Sequence, residues 1–241
     1  MAAALVCFSA VGLGSAASFR DGVGADISAF QSTTFAGDPI DGSIFAESKL
    51  TVINIWQRWC GPCWAELPYF QQLYEHYSAA PEAGVRVLGA LYYGDDPSQI
   101  QQAVDFVNEN GFTWDQMLMC GVLLAAINPE NEEYVHIPQT LIVDRYGTIR
   151  AQVVGKVDSF EELSELTETW LGILTEEYAA SAGDVDGSGE ATVVDALLAM
   201  RYAMGIIELG LNEQLRGDMN GDGNLDATDS LLILRSVLAN R

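Results

Sequence analysis

Cys60 and Cys63 stand two residues apart in the stretch RWCGPCWAELP, residues 58–68, flanked by Trp59 and Trp64. A Cys-x-x-Cys pair can be a redox-active dithiol, half of a structural zinc site or a structural disulfide. Structural zinc requires four ligands, usually from a second pair or from histidines. The other cysteines are Cys7 and Cys120 and the histidines are His76 and His136, all placed singly. A disulfide closing so short a loop restricts the unfolded chain little. The surroundings favour the redox reading. Cys60 lies where a strand-like run gives way to a helical pattern, so it falls at a helix N-terminus. There, unpaired amide N–H groups and the helix dipole stabilise a thiolate. Cys63, one turn further in, is expected to be less exposed and to attack a mixed disulfide formed by Cys60. Pro62 falls in the first helical turn, where its missing N–H costs little. Trp59 is expected to shield the pair while leaving one sulfur accessible.

A second chemistry is written near the C-terminus. Asp184 aligns with Asp218 at an offset of 34 residues, and the same offset pairs Asp186 with Asn220, Gly189 with Gly223 and Asp195 with Asp229. Each copy places oxygen side chains at positions 1, 3, 5, 9 and 12 of a twelve-residue loop with Gly at position 6, the pattern of a calcium loop. Loop one offers Asp184, Asp186, Ser188, Thr192 and Asp195, with the backbone carbonyl of Glu190. Loop two offers Asp218, Asn220, Asp222, Asp226 and Asp229, with the carbonyl of Asn224. Two calcium ions are therefore expected, and loop two, with more carboxylates, is expected to bind more tightly. The offset also pairs Leu197 and Leu198 with Leu231 and Leu232, which are expected to bury against each other.

The elements that must position these groups can be read from periodicity. Residues 50–57 are β-branched and aromatic, as a buried strand is, and a helical pattern follows over 60–77. Residues 84–93 read as a second strand and 96–111 as a helix starting near Asp96 and stopping at Gly111. Residues 139–155 read as two strands around a turn at Arg145, Tyr146 and Gly147, and 159–174 as an amphipathic helix. That order implies an α/β layered fold with a mixed sheet. Residues 178–182 read as a linker between an α/β domain over 18–177 and the repeat domain over 183–241.

The 241 residues, 49% of them apolar, suffice for one full domain and a small one. A formal net charge of −23 disfavours nucleic acid and anionic membranes as partners. Residues 1–17 are apolar and rich in small residues, with Ser15, Ala16 and Ala17 as a cleavage site, so an export signal and a secreted protein are expected, with an uncleaved anchor and a buried N-terminal segment as the alternatives.

The motif WCGPCWAELP resembles the active site of the thioredoxin superfamily, and specifically the exported thiol-disulfide oxidoreductases of the TlpA/ResA type. Residues 137–140, Ile-Pro-Gln-Thr, resemble that family's cis-proline loop. The resemblance implies a thioredoxin fold over roughly 25–175, with Cys60 as attacking thiol, Cys63 as resolving thiol and Pro138 as a cis-proline beside them. It also implies disulfide-containing protein substrates and an electron donor, of identity unknown. Glu66 matches the family's glutamate. It shares a helix face with Cys63, so it is expected either to exchange protons during reduction or to be a solvated first-turn acid. Asn54 stands six residues before Cys60, where cytosolic thioredoxins carry a buried Asp. The Gly61-Pro62 dipeptide implies a comparatively reducing pair. A peroxide reductase is the weaker enzyme reading, because the peroxiredoxin pattern is absent before Cys60, and a non-catalytic binding platform is the rival from another class. Cys120 is expected to be a buried core cysteine, with a third redox thiol as the alternative. The acidic repeat resembles a dockerin, a small all-α calcium-loop domain. That implies a cohesin module of an extracellular scaffold as partner, within a cellulosome-like, polysaccharide-degrading assembly. Val193 and Val194 lie at the recognition position of loop one. An intramolecular calcium clamp is the alternative.

Overall fold

The computed structural model describes residues 18–19, 22–92, 98–128 and 135–239. The proposed export segment, residues 1–17, lies outside the described residues, as does Asp96. Chain order is β1 (Ser18–Phe19), β2 (Gln31–Thr33), β3 (Pro39–Asp41), β4 (Leu50–Trp56), α1 (Gly61–Ser78), β5 (Val85–Leu91), α2 (Ser98–Glu109), β6 (Asp115–Leu118), α3 (Gly121–Ile127), β7 (Gln139–Asp144), β8 (Ile149–Val154), α4 (Phe160–Ala180), α5 (Val193–Ala203), α6 (Leu211–Gly217) and α7 (Ala227–Ala239).

Six strands form one mixed sheet in the order β1-β8-β7-β4-β5-β6, and β2 and β3 form a separate hairpin. Strand β4 is central: it pairs in parallel with β5 and antiparallel with β7. Every residue of β4 is buried, because helices cover both faces. Alternation then sorts the strand. Leu50, Val52 and Trp56 face the core under α1 and α4, and Ile53 and Ile55 face the second core with Phe30, Phe45 and Leu123. The short strand β6 and helix α3 escape sequence periodicity, being only 4 and 7 residues long.

Helix α4 differs from expectation. The pattern ends at Leu174, yet the helix runs on to Ala180, so most of the expected linker is its last turn. The reason is tertiary. The Tyr178 hydroxyl donates to the Lys49 carbonyl at 2.8 Å and accepts from the Arg145 N–H at 3.0 Å. Arg150 pairs with both Glu177 and the buried Asp144. These contacts clamp the polar end of α4 to the sheet.

Beyond Ser181, α5 and α7 pack around Val185, Ala196, Ala199, Leu225 and Ile233. The Ser230 hydroxyl crosses between the two helices to the Ala196 carbonyl at 2.6 Å. Leu197 and Leu231, expected in that core, are instead exposed. The helical phase gives the inward positions to their neighbours Ala196, Ala199 and Ile233.

All five tryptophans precede residue 171, so their fluorescence reports the α/β domain alone. Tyr178→Phe leaves the Lys49 carbonyl and Arg145 N–H without their shared partner and should destabilise that domain by about 1–2 kcal/mol. A fall in the urea midpoint followed by tryptophan fluorescence checks this; an unchanged midpoint would remove Tyr178 from the clamp.

Candidate functional site

Strand β4 ends at Trp56, and the chain turns through residues 57–59 into α1, with Cys60 as the N-cap. The turn is held by Gln57, whose side-chain amide donates to the Tyr92 carbonyl at 2.5 Å and to Gln99 at 2.9 Å. Cys60 and Cys63 are joined as a disulfide with Cα atoms 5.3 Å apart. The Cys63 N–H points at Cys60 Sγ at 3.2 Å, so a free amide of the first turn is aimed at that sulfur. Cys63 is fully buried and Cys60 is 5% exposed, which orders the two sulfurs as the spacing anticipates. Trp59 is 63% exposed and projects into solvent, so it covers the pair less than expected. Trp64 stacks on Phe106 at 5.3 Å and adds a second exposed aromatic beside it.

The Ile137-Pro138 peptide is cis, and the Ile137 carbonyl lies 3.9 Å from Cys60 Sγ. Pro138 leads directly into β7, whose antiparallel pairing with β4 brings the loop against the head of α1. His136 is exposed, and its carbonyl accepts from Gln139 at 2.7 Å. Cys120 is a free, half-buried thiol packed against the second core.

Glu66 is not a solvated acid. It is fully buried, with Oε1 accepting from Asn54 Nδ2 at 2.6 Å and Oε2 accepting from the Val157 N–H at 2.9 Å. Burial pushes its carboxyl up to about 8, against the lowering effect of those two donors and of Lys156. Asn54 as its partner is missed by periodicity. The available signal is a lone amide among the apolar and β-branched residues of β4.

In the C-terminal unit, Asp184, Asp186 and Asp195 present carboxylate oxygens within 4.8 Å of one another, two of the three residues buried. Buried, converging carboxylates repel unless a cation joins them, and hard oxygen donors suit calcium. The Ser188 hydroxyl lies 3.4 Å from both Asp184 Oδ1 and the Glu190 carbonyl, which places those groups in the same loop. Asp195 anchors loop one by accepting from the N–H groups of Asp186 and Thr192, and Asp229 repeats this with Asn220 and Asp226. Loop two is less drawn together. Asp218 accepts from Gly221, Asp222 and Gly223, Asn220 donates to Asp222, and Asn224 hydrogen-bonds Asp222. Among the described residues the convergent acidic cluster is in loop one, although loop two places more carboxylate side chains at the ligand positions.

A disulfide capping the helix after the central strand, facing a cis-proline, defines a thioredoxin-fold thiol-disulfide site. Comparison with known proteins places the chain more closely. Residues 23–152 match the AhpC/TSA family model and residues 182–238 match the dockerin type I domain. The chain belongs to the AhpC/TSA family and carries a C-terminal dockerin type I domain. It is 28% identical over 141 residues to sporulation thiol-disulfide oxidoreductase A of Bacillus subtilis (strain 168), covering 58% of this chain and 78% of that protein. It is 26% identical over 133 residues to thiol-disulfide oxidoreductase ResA of Bacillus thuringiensis (strain Al Hakam), covering 54% of this chain and 65% of ResA, just under two thirds of that relative's length. The chain is thus a homologue of thiol-disulfide oxidoreductases. Two solved structures show the shared fold. One is a thiol:disulfide interchange protein of the thioredoxin family from Chlorobium tepidum TLS, with TM-score 0.51 and 20% identity over 63% of this chain and 99% of that one. The other is a secreted thiol-disulfide isomerase from Corynebacterium glutamicum, with TM-score 0.50 and 23% identity over 67% of this chain and 93% of that one.

The raised Glu66 carboxyl has a stability consequence. Because its folded value of about 8 exceeds the unfolded value near 4.5, the folded state holds the proton more tightly. The stability that this proton confers is complete below about pH 4.5 and is lost as pH rises to about 8. Glu66→Gln should remove this decline, gaining a few kcal/mol relative to wild type on the alkaline side. Urea titrations of the oxidised protein across that window measure it, and parallel wild-type and variant curves would refute it.

Proposed function

We propose that this protein is an extracellular thiol-disulfide oxidoreductase, carried to a cohesin-bearing scaffold by its calcium-dependent dockerin. The observation that carries the reading is the Cys60–Cys63 disulfide at the N-terminus of α1, facing cis Pro138, on the same chain as a dockerin repeat. In the reducing direction, the Cys60 thiolate attacks a substrate disulfide, forms a mixed disulfide and expels one substrate thiolate. Cys63 then passes its proton toward Glu66 and attacks Cys60 Sγ. This re-forms the Cys60–Cys63 bond and releases the second substrate thiolate, so two electrons have moved to the substrate. An external dithiol resets the pair. The backbone beside Pro138 is the segment that would pair with an extended substrate strand. Gly61 and Pro62 place no cation between the cysteines, which favours a comparatively reducing couple.

For the C-terminal unit, the exposed side chains support a docking role. Val193, Val194, Leu197 and Leu231 are all exposed on the two repeat helices, and Leu197 and Leu231 are equivalent under the repeat. Calcium held by Asp184, Asp186 and Asp195 would set loop one and hence the N-terminus of α5. The acidic groups of loop two, Asp218, Asp222 and Asp229 with Asn220, would hold a second ion. Substrates would be disulfides of proteins on the same scaffold or the cell surface, and polysaccharide-degrading neighbours fit that setting.

Wild-type protein should reduce insulin disulfides in the presence of a dithiol, and Cys60→Ser should lose this by at least about a hundredfold. Equal activity in the variant would leave the thioredoxin-like domain as a binding platform only.

Immobilised cohesins should capture the full chain in calcium and release it in EDTA, and Asp195→Ala should abolish capture. Capture by no cohesin, with calcium still bound, would make the repeat an internal clamp.

A further inference from the structure

Gln139 and Gln152 are amides inside the sheet, 2% and 0% exposed. Gln139 on β7 stands opposite Ile55, and Gln152 on β8 stands opposite Leu141. Ile55 and Leu141 belong to the second core, so both amides enter an apolar layer. A buried amide is costly unless it is paired, so its partners show what it holds. Gln152 Nε2 donates to Gln139 Oε1 at 2.8 Å and to the carbonyl of Ile127, the last residue of α3, at 3.4 Å. Gln139 Nε2 in turn donates to the His136 carbonyl at 2.7 Å. These acceptors fix which way round the two amides sit. Gln152 Oε1 has no hydrogen-bond partner among the described residues, and the Gly22 backbone packs so closely on it that a Cβ there would collide.

We propose that Gln139 and Gln152 are positioning residues for the proline loop, an amide relay that sets its backbone against Cys60 to receive a substrate strand. The His136 carbonyl lies ahead of β7, outside its ladder with β4, and takes the Gln139 side chain as donor. On the other side of the loop the Gly155 N–H donates to the Pro138 carbonyl at 3.0 Å. Between these two anchors the Ile137 carbonyl lies 3.9 Å from Cys60 Sγ. Removing the Gln139 amide removes the anchor on the His136 side and lets that backbone shift. Gln152 acts one step back. By donating to Gln139 Oε1 it keeps the Gln139 Nε2 turned toward the loop. Its second donation, to Ile127, ties the relay to α3.

The inference rests on the thiol-exchange reading, in which the backbone beside Pro138 pairs with an extended substrate. A displaced loop then penalises a protein substrate, which needs that pairing. A small disulfide needs access to the sulfurs and little else. A loss of stability alone would not separate the two substrates, whereas a misplaced loop does.

The full-length protein is reduced, freed of reductant and mixed with insulin or with dithiobis(nitrobenzoic acid), a small disulfide. Gln139→Leu should lower the ratio of the insulin rate to the small-disulfide rate about tenfold. Gln152→Leu should lower it less, and the double variant no further than Gln139→Leu alone. In the oxidised protein, without turnover, the backbone N–H groups of residues 135–137 should exchange with deuterium at least about tenfold faster in Gln139→Leu, relative to those of β4. An unaltered ratio, or an equal fall in both rates, would overturn the positioning role, and so would unaltered exchange. Additive effects in the double variant would overturn the relay through Gln152. Should Gln139→Leu not fold, Gln139→Met and Gln152→Leu carry the same comparison. Failure of the wild type to reduce insulin would strike the oxidoreductase reading, and the exchange measurement would still decide whether the amides hold the loop.

Discussion

The buried carboxyl of Glu66 is the constraint around which the catalytic half is arranged. A carboxyl removed from water is tolerated only where donors meet it, and its two donors come from separate places in the chain. Asn54 sits on the central strand, and Val157 lies between β8 and α4. The pairing holds only while α1, β4 and the entry to α4 keep their mutual register. The same register puts Cys63 at the buried end of the disulfide and Cys60 at its outer end. The contacts that hold the buried carboxyl thus also fix the helix that carries the disulfide.

The surrounding sheet supplies what that arrangement needs. Because β4 is paired on both sides, its C-terminal end cannot shift, and the N-cap that follows it is held in place. Because β7 runs antiparallel beside it, the cis-proline at the start of β7 arrives at the end of β4 rather than at the far edge. That pairing therefore sets Cys60 against the proline loop.

The C-terminal unit solves the same problem differently. Its core is small, and its loops are organised by Asp195 and Asp229, each fully buried and each collecting N–H donors from its own loop. The loops are thus pre-shaped by internal hydrogen bonds, and loop one in addition draws three carboxylates together. A cation there would relieve that repulsion, which couples metal binding to folding of the unit. Helix α4 brings this unit to within a residue or two of the clamped end of the α/β domain.

Spacing and residue type alone determined the thiol pair, the acidic repeat and the long strands and helices, and the family resemblance pointed to the cis-proline loop. Those signals are local: a Cys-x-x-Cys at a strand-to-helix boundary, carboxylates at fixed intervals, and apolar runs of sufficient length. Short elements such as β6 and α3 carried too few residues to show a period. Tertiary structure decided the rest. It took Glu66 out of water, turned Leu197 and Leu231 outward, extended α4 to Ala180 through Tyr178, and drew the acids of loop one together more tightly than those of loop two. Each of these depends on groups distant in the chain or on helical phase, and so on contacts that exist only once the chain has folded.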